Sequence, residues 1–247
     1  MWIAEAPSEE DLQWLKKQAL EQNAFDVFGI KFHFWKEYAE GRCKLVCKTC
    51  PYGKVLVFVE NGKLDPTPYE VWGKIFQLFG HGPWRVAFFP STIKRQLPVG
   101  GGPLGPEHVN GGYAVPCHPD TVVIYRKEEA TRVLLHELFH ASCCDRDLCL
   151  EEKEAETEAW AELANIAFAS GGNLKKAHEL LQKQLDWIAS SHHTLQRYFK
   201  IHAPTDYVWR YTLGREPAFL RLGIVIPQKT TGRPKKSNRL THPDLEL

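Results

Sequence analysis

The sequence predicts an α+β fold, a small mixed sheet from the first half of the chain packed on a pair of helices, with a helical C-terminal part. Three observations predict it. Strand-like apolar runs gather before residue 126. Long helical patterns follow the strands instead of alternating with them, which argues for helices segregated to one face of a sheet. The 247 residues are 43% hydrophobic and 25% charged, an ordinary globular balance that excludes collagen, coiled coil and wholesale disorder.

Each element has its own signal. Ser8 before Glu9, Glu10 and Asp11 reads as an N-cap with acids in the first turn. That helix runs to about Glu21 and buries Leu12, Leu15 and Leu20. Stretches at 29–35 and 54–60 alternate as strands, and Asn61-Gly62 marks a turn. Residues 69–79 read as a short amphipathic helix, and 84–89 as a buried strand. The glycine- and proline-rich run at 97–112 admits no regular element. It reads as a flap or a flexible connector, with Gly111-Gly112-Tyr113-Ala114 as a cleft edge. A β-branched run at 121–125 is a strand. Helices follow at 126–142 and 151–170, separated by a break at 145–150; Gly171-Gly172 stops the second. A third helix at 174–202 is interrupted near 190–193 and ends at Ala203-Pro204. Apolar residues nearly vanish after Pro227, so 228–247 is expected to be a disordered basic tail. The expected organisation is one domain at 1–227, sheet-rich at 1–120 and helical at 121–227.

Composition bounds the function. A net charge of +1 argues against a chain-wide polyanion binder. No apolar run reaches the roughly 20 residues of a membrane span. The start, MWIAEAPSEEDLQ, lacks the basic and apolar regions of a signal peptide, so an intracellular protein is expected. Seven cysteines without a secretory signal read as free thiols in a reducing compartment.

The chemistry is carried by residues 136–140, His-Glu-Leu-Phe-His. Histidines at i and i+4 lie one turn apart on one helix face, so both rings can reach one metal ion. Glu137 is placed to take a proton from water at that ion. Apolar neighbours Leu134, Leu135, Leu138 and Phe139 carry these polar groups into the core, where unpaired ones are costly. A zinc site needs a third protein ligand. Glu151, Glu152, Glu154, Glu156, Glu158 and Glu162 are the candidates on the next helix. Trp160, Leu163, Ala164, Ala167 and Phe168 read as its buried stripe. Glu158, Ala161, Glu162 and Asn165 line an adjoining face. Periodicity leaves Glu156 and Glu158 close to a tie.

H-E-x-x-H followed by a glutamate on the next helix resembles the gluzincin metallopeptidases, such as thermolysin and the alanyl-type aminopeptidases. In those families the ligand glutamate opens a pattern with small residues on either side of an apolar one. Glu158-Ala159-Trp160-Ala161-Glu162 is similar to it. The resemblance therefore implies a zincin-like fold, zinc held by His136, His140 and Glu158, and Glu162 as a partner that fixes a ligand histidine. It also implies hydrolysis of peptide bonds with Glu137 as the base. Families of this kind recruit a downstream Tyr or His for the oxyanion; Tyr211 is the candidate here, ahead of Tyr207, Arg210 and Arg215. His178, His192, His193 and His202 read as surface or capping residues. The stretches IYRKEEATRVLLHELFHASCCD, TEAWAELANIAF and YVWRYTLGR are similar to metallopeptidases encoded by large DNA viruses of eukaryotes.

Two further signals compete. Cys43, Cys47 and Cys50 have the C-x3-C-x2-C spacing of an iron–sulfur site, and with Cys117 they could form a structural zinc site. Lys229 and the stretch TTGRPKKSNR at 230–239 resemble the core of an AT-hook, which implies a weak DNA contact. The alternative function is thus a nucleic-acid-associated or scaffolding protein with a structural or inactive zinc site.

Overall fold

The computed structural model describes residues 1–22, 24–80, 82–145 and 149–247, the side chains of 150 and 151 excepted. Residues 146–148 of the break expected at 145–150, and the side chains of 150 and 151, lie outside the described residues. The described chain is a mixed α+β structure with seven α-helices and one six-stranded sheet. It falls into two compact units, residues 1–93 with 110–144 and residues 94–109 with 145–247. The helix bearing HELFH belongs to the first unit, whereas the sequence assigns it to the helical part. No described helix is long and apolar enough to cross a membrane.

The first unit is built on strands β1 (Ile3–Glu5), β2 (Cys43–Cys50), β3 (Gly53–Glu60), β4 (Trp84–Phe88), β5 (Gly112–Ala114) and β6 (Val122–Ile124), in the order β1-β2-β3-β4-β6-β5. β3, β4 and β6 are parallel; β1, β2 and β5 run antiparallel to their neighbours. Val55, Leu56, Val57, Phe58 and Val59 of β3 are all buried. A strand buried on both faces needs a layer on each, so the helices do not gather on one face as expected. Helices α1 (Glu9–Leu20) and α2 (Ile30–Ala39) cover one face through Trp14, Leu15, Ile30 and Phe34, packed on Leu56, Phe58, Ala87 and Val123. Helices α3 (Tyr69–Phe79) and α4 (Ala130–Ala141) cover the other. There Trp72 meets the Phe88 ring at 5.4 Å and donates its indole N–H to Thr131 Oγ1 at 3.1 Å.

Several expectations are corrected here. Ser8 and Asp11 form a reciprocal capping box at the start of α1, as its acids suggest. Leu20, however, is exposed, and Trp14, Gln18 and Ala19 are buried. Residues 29–35 open α2 instead of forming a strand. The Asp26 carboxylate accepts from the N–H groups of Ile30 and Lys31 at 2.9 Å each, starting a helix that alternation alone cannot see. The partner of β3 is β2, joined through the Cys50–Gly53 turn, and Gly62 instead leads into the loop before α3.

The second unit holds α5 (Leu150–Ser170), α6 (Leu174–Phe199) and α7 (Arg215–Arg221). Ala159, Leu185, Ile188, Ala218 and Phe219 pack as one cluster. α6 is continuous through 190–193, and His192 and His193 are buried within it rather than on the surface. Parts of the segment after Pro227 make hydrogen bonds within this unit. Leu97 N–H donates to Lys236 O, Gln184 donates to Leu240 O, and Trp187 donates to Arg239 O. Leu240, Thr241 and Leu245 are buried. Lys235 sits 3.3 Å from the centre of the Trp187 ring, and burial lowers its pKa to about 7. An amine so engaged is poorly placed to meet phosphates.

Candidate metal centre

α4 packs against β5 closely enough to touch its backbone. A Cβ at Gly112 would stand 2.7 Å from Val123 O, 2.7 Å from Val133 Cγ1 and 3.3 Å from Glu137 Cγ. Only glycine allows that approach, and it puts Glu137 against the terminal strand of the sheet. β5 does form an edge strand, as its sequence suggests: it pairs antiparallel with β6 and ends the strand order.

His136, Glu137 and His140 are all buried. The Nε2 atoms of His136 and His140 are 3.0 Å apart, and their rings meet edge to face at 4.6 Å. Two Zn–N bonds of 2.0–2.1 Å at a tetrahedral angle place their nitrogens about 3.3 Å apart. The observed separation is close to that, so the pair fits a shared ion. The end of α4 is fixed locally. His140 O accepts from the N–H groups of Cys117 and Cys143, and these two cysteines form a disulfide. That corrects the expectation of free thiols at these positions.

The remaining cysteine hypothesis is corrected as well. Cys43, Cys47 and Cys50 all lie on β2. Four strand residues span about 13 Å, too far for Cys43 and Cys47 to share one ion. Cys50 has the opposite strand parity, and Cys117 is held by Cys143. Burial also pushes the Cys47 thiol up to about 11, which favours the uncharged form.

On α5 the structure inverts the expected stripe. Trp160 is 44% exposed, whereas Glu158 is 3% exposed. Thr157, Glu158, Ala161, Glu162 and Asn165 are buried, together with Ala155, Ala159, Ile166 and Ser170. One of the buried carboxylates has a charged partner: Glu162 Oε2 lies 3.4 Å from Arg215 Nη1, both side chains fully buried. Glu156 is paired with Arg221 of α7, which occupies it elsewhere.

His136, His140 and Glu154 each offer one ligand atom, and these atoms all lie within 4.8 Å of one another, so the three could hold a metal ion. Among the described residues no other such group of histidine, cysteine or carboxylate side chains forms. Glu154 was a lesser candidate in the sequence. Glu158, favoured by the resemblance, is not in the group; it follows Glu154 by one turn on the same face. Periodicity could have found Glu154 only if the polar face had been taken as the buried one. Tyr211 lies in the 3₁₀ turn Trp209–Tyr211, 5.5 Å from the Tyr207 ring. Burial first, then the charge of Glu154, push its phenol well above the ordinary range. Tyr211 therefore feels one member of the group.

Comparison of the chain with protein-family models, with curated proteins and with solved structures finds no match.

Proposed function

We propose that the protein is a zinc-dependent metallopeptidase. The observation that carries the reading is the convergence of two buried histidine nitrogens, 3.0 Å apart on one helix, with a carboxylate of Glu154 in the same group. A donor set of two imidazoles and one carboxylate suits zinc and leaves a fourth position for catalysis. His136, His140 and Glu154 would hold the ion. Glu158, one turn on, is the alternative third ligand that the gluzincin resemblance implies. When bound, zinc supplies acidification of water to a pKa near 7 and polarisation of a carbonyl.

The chain's own residues do the rest. Glu137 takes the proton of the attacking water and passes it to the leaving amine. Its position against Gly112 holds it beside the edge strand, where an extended peptide can add by main-chain hydrogen bonds. Tyr211 keeps its proton at neutral pH, as an unperturbed phenol already would, and serves as the hydrogen-bond donor to the developing oxyanion.

The test is Glu137→Gln in the zinc-loaded protein, assayed on a broad peptide library. Cleavage should fall by roughly 10²–10⁴-fold while zinc stays bound, the usual worth of a general base. Undiminished cleavage would remove Glu137 from the chemistry. Bound zinc with no cleavage by the wild-type protein would favour a structural site.

A further inference from the structure

The segment before and within the first turn of α2 exposes four large apolar side chains in eight positions: Phe25 at 41%, Val27 at 55%, Phe28 at 53% and Phe32 at 54%. Scattered exposed apolar residues are ordinary, but a concentration of them marks a binding surface. They are not a failed core. The buried face of α2 is already filled by Ile30 and Phe34, and by Lys31, whose ammonium donates to Gln18 O and Tyr113 Oη at 2.9 and 3.1 Å. The segment is also locked. Asp26 caps α2 through both carboxylate oxygens, and Tyr125 Oη donates to Phe25 O at 2.9 Å.

Its place in the fold gives it a role. The Phe25 ring lies 6.5 Å from the ring of Tyr113, the middle residue of β5. The Phe28 ring lies 5.9 Å from the guanidinium of Arg126, directly after Tyr125. Tyr125 N–H donates to Gly111 O, so this is the Gly111 end of β5. One face of β5 therefore meets α4 at Gly112, and the other meets the 25–32 segment at Tyr113. Successive side chains of a strand point to opposite faces. A peptide added to the edge of β5 would send alternate side chains toward Glu137 and toward Phe25, where the exposed 25–32 segment begins.

We infer that Phe25, Val27, Phe28 and Phe32 form a preformed shelf that selects a large apolar side chain on an extended peptide paired with β5. The inference rests on the peptidase reading of the site and names its substrate class. The occupant is aromatic or large aliphatic, because the exposed side chains that make the shelf carry no charge. The selected side chain belongs to a residue next to one that faces α4.

The experiment uses the full chain and fluorescent decapeptides of alanine and serine carrying one phenylalanine, moved position by position. Binding is read by anisotropy on the metal-free protein, and cleavage by mass spectrometry on the zinc-loaded protein. The wild-type chain should prefer phenylalanine at one position by about tenfold, the scale of apolar-pocket discrimination. Phe28→Ser with Phe32→Ser, both at exposed positions, should erase that preference in both readouts. They should leave binding of the same alanine–serine decapeptide without phenylalanine, and the melting temperature, unchanged. Cleavage without the preference, or a preference the double variant keeps, overturns the shelf and leaves the peptidase reading standing. A preference in binding that the variant erases, with no cleavage of any peptide, keeps the shelf and overturns the peptidase reading.

Discussion

Glu154 and Glu158 divide the third-ligand position between geometry and resemblance. Glu154 supplies an oxygen to the group formed with His136 and His140. Glu158 is the more deeply buried of the two. A carboxylate that ligates and one that only orients a ligand are separated by the size of their effect. Losing an outer-shell group costs about 10–100-fold in metal affinity, and losing a ligand costs more. Zinc titration of Glu154→Ala and Glu158→Ala should show the larger fall in the first. The reverse order would return the ligand role to Glu158. His136, Glu137 and His140 were legible in the sequence because helix geometry fixes i and i+4 spacing locally. The carboxylate that joins them was not, because a charge in the interior is decided by tertiary partners such as Arg215 for Glu162. Trp160 misled for the same reason: size and hydropathy say what a residue prefers, not which face the neighbours cover.

At the scale of elements, α4 is held by three devices. Gly112 lets β5 approach it, Thr131 receives the indole N–H of Trp72, and the Cys117–Cys143 disulfide ties its end to the segment after β5. The disulfide closes a separation of 26 residues, and a loop of that order is worth about 2–4 kcal/mol when cross-linked. Cys117→Ser with Cys143→Ser should lower the melting temperature, and dithiothreitol should lower that of the wild type equally. An unchanged melting temperature in both would mean that the pairing does not support the helix. α1, α3 and β4 were readable from their caps and periodicity. α2 was not. Its opening residues, Ile30 to Trp35, alternate like a strand, whereas the Asp26 carboxylate accepts from the first N–H groups of the helix and Ile30 and Phe34 pack in the core, which alternation does not report. β2 escaped because its lysines and cysteines imitate a metal motif more than a strand.

At the scale of the molecule, the C-terminal segment changes meaning. Sequence composition gives it no core, since its few apolar residues are scattered. The structure uses those few: Leu245 packs with Ile166 and Leu180, and Leu240 is buried. Asn165 of α5 also donates to Leu245 O at 3.0 Å. Deleting residues 228–247 should therefore destabilise the helical unit and raise binding of an apolar dye, a result that a loose tail would not give. Unchanged unfolding would restore the disordered reading.

The measurement that reaches the central claim most directly is the elemental metal content of the purified, tag-free chain. The account predicts about one zinc per chain, no iron, and loss of the zinc in His136→Ala with His140→Ala. A chain that takes up no metal even after dialysis against zinc would contradict it. The two histidines would then be core packing, and the peptidase reading would fall with them.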